Sequence, residues 1–134
     1  MLEALDEGRL LIGVGTLLEP GCWLTLSPEG RIEIGDHVMF ANGCFVGDAA
    51  HRFDDPDQPI TWQGFTSKGP VRIGANCWFG ANCVVTSGVE IGERCVIGAN
   101  SVVTQDLPPR VIAAGIPAKV IKEIEFRRPG AEGE

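Results

Sequence analysis

The sequence of 134 residues has no tyrosine, and aromatics make up only 7% of it. It has no run of the roughly 18 apolar residues that a membrane-spanning helix needs, so no insertion into a membrane is expected. It has no Cys-x-x-Cys pair for a zinc or redox site, and its five cysteines are an odd number for a disulfide framework. Positive charge is sparse: Lys plus Arg is 11 against 18 for Asp plus Glu, a formal net charge of −7. The one basic clump is Arg127-Arg128 in the tail. Binding a phosphate backbone requires a concentrated basic patch, so nucleic acid is not an expected partner. The first ten residues carry Glu3, Asp6 and Glu7, where a secretory leader has a basic start and an apolar stretch. A location in the cytoplasm is therefore expected.

Glycine and proline, in contrast, are plentiful, at 18 and 9 residues. Helix interiors tolerate neither, so the expectation is an all-β, turn-rich chain. Its size suits a single domain across 1–134.

The organising feature is a repeat of six. Twelve units open on an apolar residue: Ile12, Leu18, Leu24, Ile34, Phe40, Val46, Ile73, Phe79, Val85, Ile91, Ile97 and Val103. Seven units have Gly in second place, and seven have Gly or Asn in fourth. Those are the residues that enter positive φ most cheaply. A period of six is neither the 3.6 of a helix nor the 2 of a flat strand. It describes a short strand, then a corner, repeated into a parallel β-solenoid. Three units per turn give about four coils, over about 12–51 and 73–108. Cys22, Cys44, Cys77, Cys83 and Cys95 all fall in fifth place, where other units carry mostly small residues. They read as free thiols packed inside the coil, which agrees with a reducing compartment.

Two insertions interrupt the spacing. A short one surrounds Ser27-Pro28-Glu29-Gly30. A long one, over 52–70, is polar, proline-containing and aromatic, and loops of that length in compact domains often carry function. After Leu107-Pro108-Pro109 the repeat stops, and a closing segment over 109–126 follows. It reads as one strand from Val111 to Ile124, interrupted at Gly115 and Pro117.

Three stretches carry a family resemblance: IGDHVMFANGCFVGDAAH at 34–51, GPVRIGANCWFGANCVVTSGVEIGERCVIGANSVVTQDLPP at 69–109, and VIAAGIPAKVIKEI at 111–124. The pattern resembles the hexapeptide-repeat acyltransferases, most of all the sugar and polysaccharide O-acetyltransferases of the galactoside and maltose type. The resemblance implies a left-handed parallel β-helix, acetyl-CoA as acyl donor, no metal requirement, a small hydroxyl-bearing acceptor, and a homotrimer with sites between subunits. Family enzymes usually carry an N-terminal helical segment, whereas here the repeat begins almost at once.

The resemblance also assigns residues. His51, at the end of VGDAAH and just before the long insertion, matches the catalytic histidine. Acyl transfer from a thioester to a hydroxyl needs a base for the hydroxyl proton, and imidazole can take that proton and return it to the leaving thiolate. Ala81 matches a backbone donor to the developing oxyanion. Ala81, Ala99, Thr104 and Gln105 match positions that contact coenzyme A, largely through backbone. Lys119 and Lys122 match the basic residues that reach its phosphates. Trp78 either lines the pantetheine groove or packs. Trp62 and Phe65 either stack on a sugar or lock onto a neighbouring subunit. A carboxylate often orients a catalytic imidazole, and Asp48, Asp54 and Asp55 are all near in sequence. Asp54 is taken with Trp62 and Trp78 as an acceptor-side contact. His37 is a solvated corner residue.

Three other functions stand beside this one. N-acylation of an amino sugar or small amine shares the chemistry. A non-catalytic assembly subunit shares the fold. A γ-type carbonic anhydrase needs three histidines on a metal, and this sequence has only His37 and His51.

Overall fold

The computed structural model describes residues 9–129; the acidic opening at Glu3, Asp6 and Glu7 lies outside them. The chain winds as a left-handed β-helix with three flat faces. Strands are numbered in chain order. The first face stacks β1 (Leu10–Ile12), β4 (Ile32–Ile34), β9 (Val71–Ile73) and β12 (Glu90–Ile91), all parallel. The second stacks β2 (Leu17–Leu18), β5 (Met39–Phe40), β10 (Trp78–Phe79) and β13 (Val96–Ile97). The third stacks β3 (Trp23–Thr25), β6 (Phe45–Gly47), β11 (Val84–Val85) and β14 (Val102–Val103).

The six-residue period sets the packing. Opening residues pair in register from coil to coil, as in Phe40 on Phe79 and Phe79 on Ile97. Phe40 and Phe79 stack with ring centroids 4.7 Å apart. Nine of the twelve openers are buried. The exceptions are all in the first coil: Ile12 and Leu18 are exposed and Leu24 is half-buried, because no earlier described coil lies beneath them.

At the corners, left-handed backbone occurs at the expected Gly and Asn positions and also at His37 and Arg94. A left-handed residue with a Cβ costs about 1–2 kcal/mol, so stacking imposes the corner even where the side chain disfavours it. The fifth-place cysteines are interior, fully for Cys44, Cys77, Cys83 and Cys95 and partly for Cys22. Each thiol donates to the carbonyl of a residue one coil on: Cys22 to Ala41, Cys44 to Gly80, Cys77 to Gly92, Cys83 to Gly98 and Cys95 to Pro108. Thr16 Oγ1 does the same to Gly35.

The closing segment differs from the single interrupted strand read in the sequence. It is a hairpin. β15 (Val111–Gly115) continues the second face parallel to β13, and β16 (Ala118–Glu123) returns antiparallel to β15. Gly115, at φ 110°, turns the chain out of the solenoid direction. The hairpin covers the last coil with Val111, Ala113 and Ala118 buried.

Both insertions leave from the corner between the third and first faces. The excursion contains its own two-stranded pairing, β7 (Ala50–His51) with β8 (Phe65–Thr66), and a 3₁₀ turn over Ile60–Trp62.

Candidate active site

His51 is exposed and sits in β7 where the excursion begins. Its antiparallel partner is Phe65, and their rings lie 4.8 Å apart at an interplanar angle of 35°. Arg52 closes the pairing, its N–H donating to the Gly64 carbonyl (2.9 Å) and its Nε to that of Phe65 (3.2 Å). Phe65 thus packs on the histidine, which neither sequence reading of it anticipated. Among the described residues no carboxylate is hydrogen-bonded to His51. Asp48 bonds elsewhere, and Asp55 caps the loop by accepting from the Asp57 N–H. Asp54 and Trp62 are both exposed on the excursion. Gln63, which no motif in the sequence marks, holds the excursion in shape. Its amide accepts from Asp55 N–H and donates to the carbonyls of Asp55 and Gln58, at 2.8–3.0 Å.

The other expected contacts form two groups. Trp78, Val96, Ile112 and Lys122 are successive partners across β10, β13, β15 and β16, so Trp78 and Lys122 lie on one outward ladder of the second face. One step along, at the corner with the third face, Gly80 abuts Ala99, Gly98 abuts Ala114, and Ala114 pairs with Lys119. The N–H groups of Ala81 and Ala99 donate to no group among the described residues. Glycine is needed at 80 because a Cβ there would stand 2.6 Å from the Ala99 nitrogen. Thr104 and Gln105 follow β14 and lie at the corner from which the His51 excursion departs, two coils away. The third face therefore separates His51 from Ala81 and Ala99 within one chain.

The outer surfaces differ in character. The first face presents Glu33 and Arg72, 3.5 Å apart, and the Arg31 side chain hydrogen-bonded to Glu33 holds that carboxyl below its usual range. The second presents Leu17, Met39 and Trp78, and the third Trp23 and Phe45, all exposed.

These features define a class, the left-handed β-helix with a histidine-bearing excursion. The pattern described as the hexapeptide repeat of succinyl-transferase matches residues 70–105. A maltose O-acetyltransferase from Clostridium difficile superposes with a TM-score of 0.67 at 33% identity, covering 88% of this chain and 72% of that one. A hexapeptide-repeat acetyltransferase from Vibrio cholerae, solved with acetyl coenzyme A, superposes with a TM-score of 0.66 at 28% identity, over 86% of this chain and 71% of that one. A probable acetyltransferase of Mycobacterium tuberculosis is 47% identical over 91 residues, 68% of this chain but 30% of that protein. The chain thus spans about a third of the length of that relative. It belongs to the hexapeptide-repeat acetyltransferases.

Proposed function

We propose that the protein transfers an acetyl group from acetyl-CoA to a hydroxyl of a sugar-like acceptor, with His51 as general base. The observation that carries this reading is His51 itself: an exposed imidazole, braced by Phe65, at the mouth of the excursion in a chain of this family. His51 takes the proton of the acceptor hydroxyl as its oxygen attacks the thioester carbonyl. The Ala81 N–H donates to the oxyanion that develops. The carbon–sulfur bond then breaks, and the imidazolium returns the proton to the leaving thiolate, giving the ester and free CoA. The exposed lysines 119 and 122 supply positive charge for the phosphates of the donor, with Trp78 beside its pantetheine arm and Ala99, Thr104 and Gln105 along its course. Asp54 and Trp62 face the acceptor. A sugar hydroxyl is favoured by the maltose O-acetyltransferase named above.

A homotrimer accompanies this mechanism. His51 and the free N–H groups of Ala81 and Ala99 stand on opposite sides of the third face. Apolar ladders with Trp23 and Phe45 on that face, and Leu17, Met39 and Trp78 on the next, suit burial against a second copy. Packing of copies around a threefold axis brings His51 of one chain to the donor groove of another. The five free thiols support a cytoplasmic location. Incubation with acetyl-CoA and a panel of sugars, read by mass spectrometry beside His51→Ala, tests the reading. A product gaining one acetyl group with wild type alone supports it. Equal acetylation by both proteins would remove His51 from the chemistry.

A further inference from the structure

Acidic residues occupy the third place of several units, and at Asp36 and Glu93 they are exposed. Asp48, in the same place, is 1% exposed. The difference comes from the two insertions, which leave the same corner in adjacent coils and close over it. One carboxylate oxygen, Oδ1, accepts from the Ser27 N–H at 2.7 Å. The other, Oδ2, is buried without a partner. It fills the space where a Cβ of residue 30 would stand, so only glycine lets the Ser27–Gly30 turn lie down on it. The same turn is also held by Arg9, which donates to the carbonyls of Ser27 and Gly30. Meanwhile the Asp48 carbonyl accepts from Ser67 Oγ at 2.5 Å, on the return arm of the excursion directly after β8. Asp48 is therefore tied to the short turn by its side chain and to the excursion by its backbone, three residues before His51.

A buried carboxylate with one oxygen unanswered is a poor way to fill an interior. It is a good way to fix the short turn to the root of the excursion, since the Ser27 bond sets a direction as well as a distance. The two loops enclose a groove of about 640 Å³, lined among others by Ser27, Glu29, Arg31, Phe65 and Thr66. Phe65 joins that groove to His51.

We propose that Asp48 is a positioning residue, clamping the Ser27–Gly30 turn and the excursion together so that the β7–β8 pairing holds His51 in place. The proposal rests on the acetyl-transfer reading only for its effect on turnover. Its order-fixing role is measurable without substrate.

The test uses the full chain with Asp48→Ala, Asp48→Asn and Ser67→Ala. Hydrogen exchange over residues 50–67, trypsin cleavage after Arg52, and the ring-current shift of the His51 protons by Phe65 report the pairing. Asp48→Ala and Ser67→Ala are expected to speed exchange and cleavage by about 10-fold or more, as local opening does, and to reduce the ring-current shift. Asp48→Asn keeps an oxygen for Ser27 and should stay near wild type. Thermal stability should hold in Ser67→Ala, because Ser67 lies outside the core. In transfer assays, kcat should fall by about 10- to 10²-fold, as for a displaced catalytic group, with KM for acetyl-CoA unchanged. Wild-type exchange in Asp48→Ala would overturn the clamp whatever Ser67→Ala does, because Ser67 bonds the backbone of residue 48. If Asp48→Ala does not fold, Gly30→Ala decides, since its Cβ drives the Ser27–Gly30 turn off the Asp48 carboxylate; wild-type exchange there would equally overturn the clamp. A wild type that transfers no acetyl group would end the acetyl-transfer reading, and the exchange data would still decide the clamp.

Discussion

Phe65 packs its ring on the imidazole of His51 across a single antiparallel pair, leaving the histidine exposed yet oriented. Because His51 contributes nothing to the coil interior, His51→Ala should leave urea unfolding unchanged. Its acetyl transfer should fall by about 10²–10⁴-fold, the usual cost of losing a general base. Near-normal turnover in the variant would refute the proposed chemistry.

Lys119 stands beside the Ala99 corner, far along the coil from the His51 excursion. Lys119→Glu should raise KM for acetyl-CoA roughly tenfold, the scale of one charge-assisted phosphate contact, with kcat little changed. Steady-state kinetics with acetyl-CoA varied at saturating acceptor measure this. An unaltered KM would place the donor phosphates elsewhere.

The ladder on the third face gives a test of assembly. Phe45→Lys puts a charge on an outward position and should not disturb the coil interior. Sedimentation of the wild type should give three times the 14.3 kDa chain mass, and the variant should shift toward the single chain. A wild type sedimenting as one chain while fully active would refute the trimer.

Glycine in second place has a steric cause that can be measured. A Cβ at Gly74 would stand 2.6 Å from the Glu93 nitrogen and 2.8 Å from the Gly92 carbonyl carbon, both backbone of the next coil. Relief would mean parting the coils, so Gly74→Ala should lose more than about 2 kcal/mol. Gly64→Ala meets nothing within 4 Å and bears only the strain of φ 79°, about 1–2 kcal/mol. Urea unfolding of the pair compares them; equal losses would discount the close approach of the coils.

The buried thiols make stability sensitive to base. Burial pushes the Cys44 thiol up to about 11 and raises Cys83 as well. A native value above the unfolded one means that the unfolded chain loses its proton first. The stability that Cys44 holds below about pH 9 is then lost as pH rises toward 11, at up to about 1.4 kcal/mol per pH unit. Urea midpoints taken from pH 8 to 11 should fall, and less steeply in Cys44→Ala. Parallel curves would exclude Cys44 as a source.

The period of six, with apolar openers and Gly or Asn corners, was enough in the sequence to specify the solenoid and its buried thiols. Each of those choices is local: an opener points inward and a left-handed residue turns the chain, whichever coil it belongs to. The burial of Phe40 and Ile97, and the coil-to-coil bonds of Cys77 and Cys83, follow from that rule alone. What lies outside the repeat had no such rule. Val111 to Ile124 read as one strand, but Ala113 and Ala118 are buried by folding back as a hairpin, a gain visible only once the last coil exists to be covered. Asp48 was one of three neighbouring acids until two loops, far apart in sequence, closed over it. Phe65 acquired its place on His51 through a backbone pairing that no spacing encodes. Periodicity fixes the interior because every coil repeats one contact pattern; the site forms where that pattern is broken, and there only the three-dimensional packing of the insertions decides which residues meet.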